Sequence, residues 1–250
     1  MSDPADSAGL PWAGREVTDT GFGTDDGSAD PALRVALTQD ESTWMVALAG
    51  ARVLVPVVAT EEGRDEHDGD KAASMATVIV EGPQGQRALP VFTGLDSMTA
   101  WSSAARPSPV LTPVAARAAI SEQCDVLVVD PGSPTQVVVR PSMLWALAQQ
   151  QDWQPAHADP FVAEKVRLAV RDLEPVVEVA LEDGSDVGPG VLRVVIALAP
   201  GLTQDAVAQV ATTIGERLAT DGEVRARIDG LTFALRAAST PATGSGTTGS

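Results

Sequence analysis

The chain has 250 residues, 44% of them hydrophobic, enough for one large or two small domains that each bury a core. With no Tyr and only 4% aromatic residues, that core must be built from Val, Leu and Ala, with five Trp as the bulky fillers. The formal net charge is −17, and no basic stripe with interleaved aromatics appears in the sequence, which excludes the electrostatic footprint of a nucleic-acid-binding protein.

Residues 1–29 are rich in Asp, Ser, Gly and Pro without periodicity, and such a segment cannot repay its ordering entropy, so a disordered acidic N-terminus is expected. Trp12 and Phe22 are the two side chains there suited to docking locally. Asp30-Pro31 predicts an N-cap and a first-turn proline, opening a short helix through Leu37. A second helix is predicted from Asp40, carrying Trp44, Met45 and Leu48 to a stop at Gly50. ARVLVPVVAT (51–60) reads as a strand from its length and Val content. The charged loop TEEGRDEHDGDK (60–71) follows, and a new strand is expected near Ala76 (ATVIVE). GPQGQ turns the chain, and RALPVF returns antiparallel as a hairpin. Pro90 has no ladder donor to offer, which points to an edge or strand-end position.

LPVFTGLDSMTAW (89–101) breaks at Thr93-Gly94. The spacing predicts a capping box there, the Thr93 hydroxyl accepting from the Asp96 amide and the Asp96 carboxylate reaching back to the Thr93 amide. Thr112-Pro113 repeats the cap-and-proline device for a helix through Ile120, with a strand between the two helices. CDVLVVD (124–130) resembles a strand buried on both faces. DPGSP turns, TQVVVR runs back, and Pro141 opens a helix with Met143, Leu144 and Leu147. The predicted order to Gln150 is α-α-β-β-β-α-β-α-β-β-α, an α+β fold with a mixed sheet.

QQQDWQPAHADP is polar and broken by prolines, and 151–160 reads as a linker. Asp159-Pro160 restarts a helix, although the alternation of Val166, Leu168 and Val170 also permits a strand over 165–171. VVEVAL and VLRVVIALA read as strands around EDGSDVGPG, and Thr203 caps a helix bearing Val207, Val210, Ile214 and Leu218. EVRARI and LTFALRA flank Asp229-Gly230, a two-residue hairpin signal. The expected organisation is therefore 1–29 disordered, 30–150 a first domain, 151–160 a linker, 161–238 a smaller α-β-β-α-β-β domain, and 239–250 a disordered tail.

ALAGARVLVPV (47–57), RALPVFTGLDSMTAW (87–101) and CDVLVVDPGSPTQVVVRPSMLWAL (124–147) together resemble the SseB family, named for enhanced serine sensitivity, in the form found in high-GC Gram-positive bacteria. The resemblance covers about residues 31–150 and implies a fold and a family name. It implies no catalytic residue. Gly94 stands where the family pattern has Ser or Thr, and Asp130 where Asn is frequent; Asp and Asn both suit the turn.

Candidate chemistry is sparse. Seven acids against Arg15 in residues 1–30, and six against Arg64 and Lys71 in 61–71, leave 21 acids and 14 bases elsewhere, so the folded part is only moderately acidic. The 61–71 loop with His67 lacks the ligand order of an EF-hand and reads as a solvated loop, with no metal expected. His157 is 90 positions from His67 and shares no ligand spacing with it. Cys124 is the sole cysteine, so neither an intrachain disulfide nor a CxxC motif exists; beside a buried strand it reads as an inert small hydrophobe. Gly21-Phe22-Gly23 follows no strand and opens no helix, and Walker A and GxSxG motifs are absent. Arg225 and Arg227 are expected on one face of an edge strand. The remaining feature is the pair of turns at 92–94 and 130–132. If they converge, Thr93, Gly94, Asp130 and Gly132 become candidate contacts for a small anion or an amino-acid-like ligand. MSDPADSAG lacks a signal peptide's basic start and apolar stretch, and the apolar runs fall far short of the ~20 residues that span a bilayer. A cytoplasmic, non-enzymatic protein without cofactor, acting on an unknown protein partner and on neither nucleic acid nor membrane, is the reading that results.

Overall fold

The computed structural model describes residues 21–61, 73–82 and 85–238. The acidic loop with His67, Trp12 and the 239–250 tail lie outside the described residues.

Helices α1 (Pro31–Ala36) and α2 (Glu41–Ala49) begin where their aspartates predict. Asp30 accepts from the Ala32 amide at 2.8 Å and Asp40 from the Thr43 amide at 3.0 Å, each satisfying a donor that the first helical turn leaves free. Strand β1 (Arg52–Glu61) is the centre of an antiparallel sheet, flanked by β2 (Ala73–Thr77) and β5 (Arg106–Leu111). A second sheet has the order β3 (Val80–Glu81), β4 (Arg87–Val91), β6 (Val126–Val129), β7 (Val137–Val139); only β4 and β6 run parallel. That parallel pair needs a crossover, which α3 (Leu95–Trp101), β5 and α4 (Thr112–Ser121) supply. The sheets meet at Leu54 and Phe92, which exchange backbone bonds of 2.8 and 2.9 Å.

The α+β class and the sequence of elements follow the expectation, with one added strand. The expected ATVIVE strand begins earlier, at Ala73, and divides at Val78-Ile79 because its two parts pair with different sheets, β2 with β1 and β3 with β4. Pro90 lies beyond the last β3 partner of β4, Ala88, and so occupies an edge stretch as its missing donor requires. Helix α5 (Pro141–Gln149) packs Met143, Leu144 and Leu147 into a core shared with Leu48, Leu89 and Leu127.

The C-terminal half builds a separate core around Val162, Leu192, Ile196, Ile214 and Val224. Residues 165–171 lie in and just after a helix, α6 (Pro160–Val170), capped by Asp159. Strands β8 (Val176–Asp183) and β9 (Val191–Leu198) pair antiparallel, and Thr203 caps α7 (Gln204–Ala219) as its position predicts.

The expected hairpin at 223–237 is not formed. Residues 222–227 are a helix, α8 (Gly222–Arg227), and β10 (Gly230–Ala237) pairs parallel with β9. Local interactions override the alternating pattern. Asp221 accepts from the Glu223 and Val224 amides, Glu223 pairs with Arg227 one helical turn on, and neither Asp229 nor Gly230 takes the positive φ that a type I′ turn requires. Arg225 and Arg227 are accordingly helical residues. The 151–160 segment is also no free tether: Trp153 packs on the first core and Ala156 on the second.

Candidate functional site at the Thr93 and Asp130 turns

The two turns converge. Strands β4 and β6 run parallel and side by side, so their C-terminal ends deliver Thr93 and Asp130 to the same end of the sheet. Asp130 adopts a left-handed φ of 47°, a region that Asp tolerates better than most residues, and Gly132 follows at 79°. This bend turns the Asp130 carboxylate toward Thr93. One oxygen accepts from the Thr93 amide at 2.8 Å and from the Ser97 hydroxyl at 2.7 Å; the other accepts from the Thr93 hydroxyl at 2.7 Å. Thr93 and Asp130 are 1% and 2% exposed, so the two bonds between them are made away from water, while Ser97 is half-buried.

The capping box between Thr93 and Asp96 is therefore replaced. Gly94 is the N-cap of α3 and gives it no side-chain bond. The carboxylate that Thr93 meets belongs to Asp130, 37 positions away, while Asp96 pairs with Arg34 on α1. That pairing holds the Asp96 carboxyl below the ordinary aspartate range. Thr112 likewise caps nothing: its hydroxyl donates to the Ala51 carbonyl at 3.0 Å, tying α4 to the start of β1.

The Thr93 donors are thus engaged by the Asp130 carboxylate of the chain itself. Gly132 is exposed, and its amide donates to Gln136 Oε1 at 2.7 Å, so it too is engaged. Ser97 is the functional-type residue that sequence reasoning missed; its place one turn into α3 was the available signal.

Residues 21–29 cover the outer side of this junction, where a disordered segment was expected. The Arg52 guanidinium donates to the Thr93 carbonyl at 2.8 Å and to the Ser28 carbonyl at 2.6 Å, and pairs with the Asp25 carboxylate at 2.7 Å. The Leu95 amide donates to the Gly27 carbonyl at 2.8 Å. Fixed polar partners and a buried Gly27 outweigh the segment's low hydrophobicity.

A separate cleft of about 460 Å³ lies between the two halves, lined among others by Arg140, Trp153, His157 and Asp229. Its cations are paired within the chain. Arg140 contacts Glu41 and, at 2.9 Å, Asp229, while Arg227 contacts Asp159 and Glu223, each at 2.8 Å. Asp229 also accepts from the amide and hydroxyl of Ser142, both at 2.8 Å, and so caps α5 from 87 positions downstream. His157 is exposed on the rim. Cys124 is 8% exposed, and burial pushes its thiol above the usual cysteine range. Among the described residues, no group of three His, Cys, Asp or Glu is placed to hold a metal ion.

An α+β chain whose paired parallel strands end in interlocked Thr and Asp turns is the class that these features define. Residues 30–146, just under half of the chain, match the family model described as SseB protein N-terminal domain, and this stretch is similar to that domain. No curated protein matches the chain. Among the described residues no helix is long and apolar enough to cross a membrane.

Proposed function

We propose that the protein is a non-enzymatic, cytoplasmic SseB-family member of the actinobacterial type that acts by contact with a protein partner, as an accessory regulator. The observation that carries this reading is the closed Asp130 junction. A carboxylate that already accepts from one amide and two hydroxyls, at 2% exposure, is spent on holding two turns together and is not poised to take a proton from a substrate. Affinity purification from native extract at near-native abundance tests the reading: it predicts a reproducible, saturable protein partner, and recovery of none contradicts it.

The convergence of the turns supports a second reading, a small anion or amino-acid-related ligand held by Thr93, Gly94, Asp130 and Gly132. Such a ligand must displace Asp130 from the Thr93 amide or Gln136 from the Gly132 amide. Ligand binding to the folded state alone raises the melting temperature. The preferred reading predicts no thermal shift with serine, related amino acids or phosphate. A shift abolished by Thr93→Ala would put the second reading first.

A further inference from the structure

We propose that Arg52 and the Thr93-Gly94-Leu95 turn form a recognition site for an acidic peptide segment, and that residues 21–29 occupy it in cis. This inference rests on the partner-binding reading above and names the chemistry of the partner.

The first observation is one of placement. Residues 21–29 form a strap that precedes the first helix and lies against Arg52 and the Thr93-Gly94-Leu95 turn, outside the stretch 30–146 that matches the family model.

The second observation is how specifically it is seated. One terminal nitrogen of Arg52 donates to one Asp25 oxygen at 2.9 Å, and Nε lies 2.7 Å from the other as an ion pair, although that buried oxygen accepts no hydrogen bond. The same guanidinium reads the Ser28 carbonyl on the strap and the Thr93 carbonyl on the domain, and so joins the two. The paired side chains are only 17% and 15% exposed. Gly27 stands at φ 77°, its carbonyl accepts from Leu95, and a Cβ at Gly27 would lie 2.3 Å from Leu95 Cδ1. On the domain side, a Cβ at Gly94 would lie 2.8 Å from the Ala29 amide nitrogen. Gly94 is thus required by the close approach of the Ala29 backbone, and Gly27 by its left-handed φ and the Leu95 side chain packed against it. The site selects an Asp for Arg52, a Gly two residues later, and a carbonyl just beyond.

The third observation is the nature of the grip. It is made mainly of polar contacts, with Gly27 against the Leu95 side chain and Phe22 only half-buried, and a segment with so few buried apolar contacts opens at lower cost than the cores do. A tethered segment competes at an effective concentration on the order of millimolar. The strap therefore keeps the site closed to weak acidic segments and admits a partner whose segment binds better.

The test uses a fluorescent synthetic peptide of residues 21–31 and the full chain. The Asp25→Ala/Gly27→Ala chain, whose strap is loosened, is expected to bind the peptide at least tenfold more tightly than the wild-type chain. Adding Arg52→Gln is expected to abolish that gain. Equal binding to loosened and wild-type chains, or binding indifferent to Arg52→Gln, overturns the proposal. Hydrogen exchange on the unmodified chain gives a readout independent of any variant. The amides of 25–28 and Leu95 are expected to exchange at least tenfold faster than those of β1 and β4; exchange in step with the strands makes the strap an integral part of the core and overturns the proposal. A partner recovered from extract that binds the Arg52→Gln chain undiminished removes this site while leaving the partner-binding reading in place.

Discussion

The Cys124 thiol sits just before β6, where burial raises its pKa; Arg87 opposes this, and Glu122 and Asp125 add to it. A thiol held protonated is a poor nucleophile. In the folded chain the group retains its proton to higher pH than in the unfolded chain. Its contribution to stability is therefore full below the unfolded thiol value of about 8.5 and is lost as pH rises through the folded value. We expect Cys124 to react with a disulfide reagent at pH 8 far more slowly than a free thiol, and the alkaline fall in stability to lessen in Cys124→Ala. Rapid stoichiometric labelling of the native protein would contradict this. The burial of Cys124 was legible from its position before VLVV. The role of Asp130 was legible only in part: DPG marks a turn, but nothing local says that the carboxylate will accept from residues 33 and 37 positions upstream.

At the scale of elements, local rules worked where the partners lie within one turn. Asp30, Asp40, Asp159 and Thr203 cap the helices that they precede, because an N-cap bond needs only the next two or three residues. They failed where a distant group supplied the partner. Helix α5 has no cap from Arg140 and takes one from Asp229, whose side chain is 7% exposed. The same engagement removed Asp229 from the hairpin that its dipeptide predicts. Asp229→Ala strands the Ser142 amide and leaves a buried Arg140 with Glu41 alone, a loss expected to cost about 3 kcal/mol. Asp229→Asn, which keeps an acceptor for Ser142, is expected to lose less. Urea denaturation measures both, and an unaltered midpoint in Asp229→Ala would contradict the assignment.

Across the whole molecule the same device recurs. Aspartates at chain reversals reach over to secure segments far away in sequence: Asp130 secures Thr93, Asp229 secures α5, and Asp25 secures the strap to Arg52. Hydrophobic periodicity made the two cores and their element order readable, because burial alternates with a local period. These long-range polar ties carry no such period, which is why the closed junction and the strap escaped the sequence. Equilibrium urea unfolding of Asp130→Gly tests the structural role most directly, since glycine keeps the left-handed φ without strain and removes only the acceptor. A structural Asp130 predicts a loss of about 2–3 kcal/mol from two buried donors, the Thr93 amide and hydroxyl, left unpaired. Unchanged or increased stability is the behaviour of a residue kept for chemistry, and that result would contradict the account.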